Sequence, residues 1–158
     1  MEQRRKNIRL SKEAYEASSQ IFSITVCTLT RRPLFRNETW ANLVVGSLET
    51  GPFGENTDRY ALCLMPDHLH LLLTCQDGNL IDLLSGWKSY SANLLRKSAL
   101  EGACWQRGFH DHGLRREEDI RSTADYIVNN PVRAGLVENW ISYPYSWHRW
   151  MQGQSADL

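Results

Sequence analysis

Charge of one sign is what this sequence most conspicuously lacks. Its 158 residues carry 18 Lys and Arg against 18 Asp and Glu, a formal net charge of zero at neutral pH. The balance removes any whole-chain electrostatic argument for a nucleic-acid partner and leaves only local basic patches to supply one. Cysteine is sparse too. Cys27, Cys63, Cys75 and Cys104 form no C-x-x-C pair, which excludes a zinc knuckle or a thioredoxin-type site and leaves reduced thiols as the simplest state. No apolar run approaches the ~20 residues of a membrane span. The basic stretch Met1–Arg9 leads into Ser11-Lys12-Glu13 instead of the apolar core of a signal peptide. The 5 prolines and 10 glycines gather into no linker, and no segment repeats. We therefore expect a soluble, cytoplasmic protein with no membrane partner. One domain should span residues 21–150, preceded by a polar, partly basic arm (1–20) and followed by a tail (151–158).

What is present is periodicity. Phe22, Ile24 and Val26 alternate along a β-branched run ending near Thr30, which predicts a strand closed by Arg31-Arg32-Pro33. A helix is predicted from about Glu38 to Glu49, broken by Gly51-Pro52-Phe53-Gly54. Two strands at 59–65 and 68–75 are separated only by Pro66-Asp67, a pair suited to a tight turn, and read as a hairpin. Leu80, Leu83, Leu84, Trp87, Leu94 and Leu95 make the stripe of a long helix stopping near Gly102. Trp105 to Arg115 reads as strand. Glu117-Glu118-Asp119 opens a last helix, where the macrodipole favours acids, and Pro131 should end it at Asn130. The order β-α-β-β-α-β-α fits an α+β, ferredoxin-like fold: a mainly antiparallel sheet with helices packed on one face.

His68-Leu69-His70 is the most informative triplet. Alternation along a strand sends both imidazoles to one face and Leu69 and Leu71 to the other, so the pair can converge on one metal ion. A bare H-x-H is nonetheless more often a pair of surface or half-buried histidines. His110-Asp111-His112 repeats the spacing with a charged centre, and spacing alone does not rank its roles. On the last helix Ile120, Thr123, Ala124 and Ile127 should face the core, while Tyr126 and Asn130 share a flanking strip one turn apart. Tyrosine is a weak nucleophile with a free pKa of about 10, so chemistry at Tyr126 would need a cation or base beside it. The aromatic end, with Trp140, Tyr143, Tyr145, Trp147 and Trp150, packs the tail more readily than it stacks bases. The cations Arg31, Arg32, Lys88, Arg107, Arg115, Arg116 and Arg133 are scattered and by themselves read as a solvated surface; they become candidate DNA contacts only through the resemblance that follows.

Taken together, residues 60–73 (Tyr-Ala-Leu-Cys-Leu-Met-Pro-Asp-His-Leu-His-Leu-Leu-Leu), 105–112, 125–137 and the closing Tyr143-Pro144-Tyr145-Ser146 resemble the single-tyrosine HUH transposases. Their order is similar to the REP-associated tyrosine transposases, a domesticated bacterial branch, over residues 21–148. The resemblance implies an HUH-endonuclease, ferredoxin-like fold and a DNA strand transferase acting on single-stranded, hairpin-forming repeats. His68, His70 and Asn130 would hold Mg²⁺ or Mn²⁺, with imidazole favouring Mn²⁺. Tyr126 would be the nucleophile, giving a 5′-phosphotyrosine and a free 3′-hydroxyl. His112 would lie near the site. The protein would work as a monomer or homodimer, associated with the nucleoid. Two functions compete with this one: a non-cleaving binder of hairpin DNA or RNA, and an unrelated metal hydrolase using His68, His70, His110 and His112.

Overall fold

Alternating side chains build the sheet that positions everything else. In the structure, a computed structural model describing residues 20–76, 79–114 and 117–154, β1 (Ile21–Cys27) buries Phe22, Ile24 and Val26 on one face. The helices α1 (Glu38–Ser47) and α2 (Gly51–Asn56) follow. Next come the hairpin β2 (Thr57–Met65) and β3 (His68–Cys75), then α3 (Leu80–Lys97). After β4 (His110–Leu114) the chain forms α4 (Glu117–Val128), the single turn α5 (Asn130–Arg133) and a short β5 (Ser146–His148). The strands lie β4-β1-β3-β2-β5, every neighbouring pair antiparallel. The first four strands, in the order β4-β1-β3-β2 with helical crossovers after β1 and β3, form the expected α+β, ferredoxin-like arrangement. Residues 1–19 of the expected arm, Arg115 and Arg116 lie outside the described residues.

Local chemistry sets the element ends. The Asn37 side chain accepts from the Trp40 N–H at the start of α1, and Asn79 caps α3 by accepting from Ile81 and Asp82. Gly51-Pro52 starts a helix of its own instead of only breaking one. Gly51 takes the left-handed φ of 63°, and proline is at home in a first helical turn, where its missing N–H has no intrahelical partner. The expected strand from Trp105 shrinks to residues 110–114. Trp105 makes one isolated bridge to Thr28, and Gly108, at φ 76°, turns the chain before β4.

The sheet divides the interior in two. On one face Phe22, Ile24, Val26, Leu64, Leu69, Leu71 and Leu73 pack against α1, α2 and α3 through Val44, Leu48, Phe53, Leu84, Trp87 and Leu95. On the other, α4 lays Ile120, Ala124 and Ile127 over Ala61, Cys63, Met65 and Leu72. This corrects the expectation of helices on one face only. An amphipathic helix reports which of its own sides is buried, not which side of the sheet it meets. Tyr143 and Trp150 pack onto the second cluster and Tyr145 and Trp147 onto the first, so the aromatic end closes the domain. Leu71 is fully buried between Ile24 and Leu62 on the neighbouring strands. Leu71→Ala should cost about 3–5 kcal/mol, the usual range for a core leucine leaving a cavity, read as a lower urea midpoint at unchanged slope.

Candidate active site

Strand β3 carries the two histidines on the α4 face of the sheet. Because Leu69 and Leu71 go to the large core, His68 and His70 must point the other way. Their rings meet edge to face, centroids 4.7 Å apart. Each ring is held through Nδ1. His68 Nδ1 lies 2.6 Å from Asp67 Oδ1, and His70 Nδ1 lies 3.0 Å from the Thr25 hydroxyl. With both Nδ1 atoms engaged, the Nε2 atoms are the positions from which the pair can ligate a metal. Asp67 is itself tied back, its Oδ2 accepting from Arg31 Nε at 3.0 Å. Burial works to raise the Asp67 carboxyl, but the hydrogen bond and charge of His68 and the charge of Arg31 hold it below the usual carboxylate range.

Burial dominates the chemistry of His70. It pushes the imidazole pKa down to about 3, helped by the charges of His68, Arg133 and Arg31, so the ring is neutral at physiological pH, the form a metal needs. The same shift makes folding acid-sensitive. Below an unfolded value of about 6.5, the unfolded chain takes up a proton that the folded chain refuses. Stability therefore falls as pH drops from about 6.5 towards 3, by up to about 1.4 kcal/mol per pH unit. His70→Gln should remove that share, read as a smaller loss of urea midpoint between about pH 7 and about pH 5.

The register shows what shares the row with His70. Thr25 pairs with both His70 and His110, and Cys63 pairs with both His70 and Ser146. His110 is thus in line with the histidine pair, while His112 stands opposite Ser23, in the next row beside Leu72. Among the described residues, no three His, Cys, Asp or Glu side chains gather as a metal cluster.

The end of the last helix carries the candidate tyrosine and carboxamide. Tyr126 is 64% exposed on α4, and Asn130 opens α5 one turn later. Pro131 cannot give an N–H to the ladder, yet the chain bends on through one more helical turn instead of stopping at Asn130. That turn brings back Arg133. Its guanidinium carbon sits 3.7 Å over the Tyr126 ring, and its Nη2 donates to the Tyr126 carbonyl at 2.7 Å and to Asn130 Oδ1 at 3.2 Å. Strand β5 fixes the helix from beneath, Ser146 Oγ donating to the Val128 carbonyl at 3.2 Å. The charges of Arg133 and Arg31 both act on His70.

The other candidate cations scatter. Arg32 reaches the Glu101 carbonyl at 3.4 Å. Lys88 and Arg107 line a groove of about 500 Å³ with Arg96, between α3 and residues 103–109, beyond the sheet from the histidine pair. Lys88 there donates to the Gln106 and Gly108 carbonyls. Asp67 and Thr25 were not singled out as site residues in the sequence. Asp67 read only as a turn residue, and Thr25 becomes visible only once the pairing of β1 with β3 is known.

A five-stranded sheet with paired imidazoles on one face, under a helix with an exposed tyrosine and followed at once by a carboxamide, has relatives. The family model of IS200-like transposases matches residues 16–130, and the chain belongs to that family. It is 32% identical over 90 residues to the REP-associated tyrosine transposase of Escherichia coli K12, covering 56% of this chain and 53% of the relative. It is 34% identical over 102 residues to a Haemophilus influenzae protein assigned as a REP-associated tyrosine transposase, covering 56% and 58% respectively. The match thus spans little more than half the length of these curated relatives. A solved structure of a REP-associated tyrosine transposase bound to a REP hairpin superposes with a TM-score of 0.65 at 23% identity, covering 84% of this chain and 78% of that one, and shares the fold.

Proposed function

We propose that the protein is a DNA strand transferase that cleaves and rejoins single-stranded, hairpin-forming DNA through a 5′-phosphotyrosine on Tyr126. The observation that carries this reading is the shared face: the helix bearing the exposed phenol of Tyr126 packs on the side of the sheet that presents His68 and His70. In the reaction Tyr126 Oη bonds to the scissile phosphorus and the bond from phosphorus to the 3′-oxygen breaks. The phenolic proton passes to solvent, and the released 3′-oxygen takes a proton up. No redox change occurs, and the ester to tyrosine keeps the phosphodiester's energy for rejoining. His68 and His70, with Asn130 as the amide ligand, would hold Mg²⁺ or Mn²⁺. Such an ion supplies charge neutralisation at the phosphoryl oxygens when bound. Asp67 and Thr25 would keep the two imidazoles turned for that purpose, and the half-buried, neutral His70 would ligate without first losing a proton. Phosphoryl transfer depends mostly on such positioning and on neutralised charge.

DNA binding by a chain of zero net charge must draw on local cations, so its affinity should fall steeply with salt, each phosphate contact contributing about 0.7 to the log–log slope on single strands. The direct test is a covalent adduct. End-labelled hairpin oligonucleotides with single-stranded flanks, incubated with the protein and Mn²⁺, should give a slow band on a denaturing gel that EDTA suppresses. Tight binding without an adduct, over several hairpins and both metals, would replace the transferase with a non-cleaving binder.

A further inference from the structure

Three contacts made by one exposed side chain go beyond what the strand-transfer reading requires. Tyr126 and Asn130 belong to separate helical segments, α4 ending at Val128 and α5 beginning at Asn130, with Asn129 between them at φ −84° and ψ 2°. Pro131 removes a rung of the hydrogen-bond ladder at this junction, so the backbone alone leaves the two residues less rigidly related than in an unbroken helix. An exposed phenol also has freedom about its side-chain torsions, and no hydrogen bond of its hydroxyl to the protein restrains it among the described residues. Arg133 bridges the junction. It covers the Tyr126 ring at 3.7 Å, donates to the Tyr126 carbonyl (2.7 Å) in place of a helical N–H, and donates to the Asn130 carboxamide oxygen (3.2 Å).

We propose that Arg133 is a positioning residue for strand cleavage, its guanidinium joining the phenol of Tyr126 and the carboxamide of Asn130 into one fixed unit across the helix junction. The planar fork makes this possible: one nitrogen satisfies two oxygens while the plane lies over the ring, an arrangement a lysine ammonium cannot reproduce in full. The unit also has a fixed relation to the sheet, because α4 is packed on β2 and anchored to Ser146. Through it the nucleophile is presented in one orientation before DNA arrives, instead of being sorted from several rotamers in each turnover. The inference rests on the strand-transfer reading for its consequence but not for its geometry.

The test uses the full chain labelled with 3-fluorotyrosine, with the Tyr126 resonance among the six tyrosines assigned from Tyr126→Phe. Without DNA or metal, Arg133→Met should move that ¹⁹F signal to the position of a freely rotating exposed tyrosine and leave the other signals in place. Arg133→Lys should move it part of the way. On labelled hairpin DNA with Mn²⁺, the single-turnover rate of adduct formation should fall about 100-fold in Arg133→Met, the scale of a reacting group misplaced by about 1 Å. Lysine should recover part of that loss. DNA affinity measured in EDTA should stay within about threefold of the starting protein, as expected of a residue that acts through Tyr126 and Asn130. An unmoved Tyr126 signal would overturn the proposal, and so would a moved signal with an unchanged rate. A loss of affinity equal to the loss of rate would make Arg133 a DNA contact and overturn it as well. If the starting protein forms no adduct at all while the ¹⁹F signal responds as described, the strand-transfer reading falls and the bridge across the junction stands as structure alone.

Discussion

Tyr126→Phe should abolish the covalent adduct and lower cleavage by at least about four orders of magnitude, the scale on which removal of an attacking atom is felt. The substitution deletes one oxygen and little else. Tyr126 is exposed, its hydroxyl makes no hydrogen bond to the protein among the described residues, and its ring keeps the same surface under Arg133. Folding stability should therefore change by no more than about 0.5 kcal/mol, the usual range for surface positions, and hairpin affinity in EDTA should be unchanged. This combination separates the readings in one protein: a hydrolase using only histidines would keep its activity, and a binder would show no activity to lose. Cleavage surviving in Tyr126→Phe would remove the tyrosine from the mechanism.

The second large effect belongs to the histidine pair. On the proposed mechanism, His70→Ala should weaken Mn²⁺ binding by more than about 100-fold and abolish metal-dependent adduct formation, because it would remove a ligand outright. Asp67→Ala, which removes only the group orienting His68, should cost about 10–100-fold in metal affinity, the range typical of partners behind a ligand. Free Mn²⁺ measured by electron paramagnetic resonance reads both without any DNA. The contrast matters because the two residues differ in place: His70 is half-buried within the sheet, in the row between Thr25 and Cys63, while Asp67 sits at the turn and is shared with Arg31. Equal, negligible losses in the two variants would show that the edge-to-face pair is packing and nothing more.

How much of this could be read before the fold was known varies with the kind of signal. The hairpin was legible, since Pro66-Asp67 between two apolar runs leaves little else for the chain to do: β3 runs from His68 to Cys75 as expected, and β2 starts at Thr57, two residues before the expected Arg59. The long helix was legible in its stripe, with Leu80, Leu84, Trp87 and Leu95 buried, though it ends at Lys97 and not near Gly102. Strand β5 was not. Three residues at an edge carry too short a pattern, and the aromatic content of Ser146-Trp147-His148 reads equally as a packed tail. The shared face of Tyr126 and the histidines could be expected only by resemblance, because it depends on which side of the sheet α4 covers. The same limit applies to His110 and His112. Spacing gives both to one face of β4, but only the register with β1 tells which of them stands in the row of His70.

The alternation that opens β3, from His68 to Leu71, has one more consequence, for how mistakes in this protein are tolerated. A slip of one residue in its pairing would carry His68 and His70 into the leucine core and turn Leu69 and Leu71 out towards α4. Two polar rings would then be buried without Asp67 and Thr25, and such a chain would not hold together. The apolar half of the strand therefore proofreads the reactive half: copies that survive as folded protein have already displayed their imidazoles on the correct side. Errors that spare stability but silence chemistry should consequently concentrate on α4 and α5, where Tyr126, Asn130 and Arg133 lie outside that check.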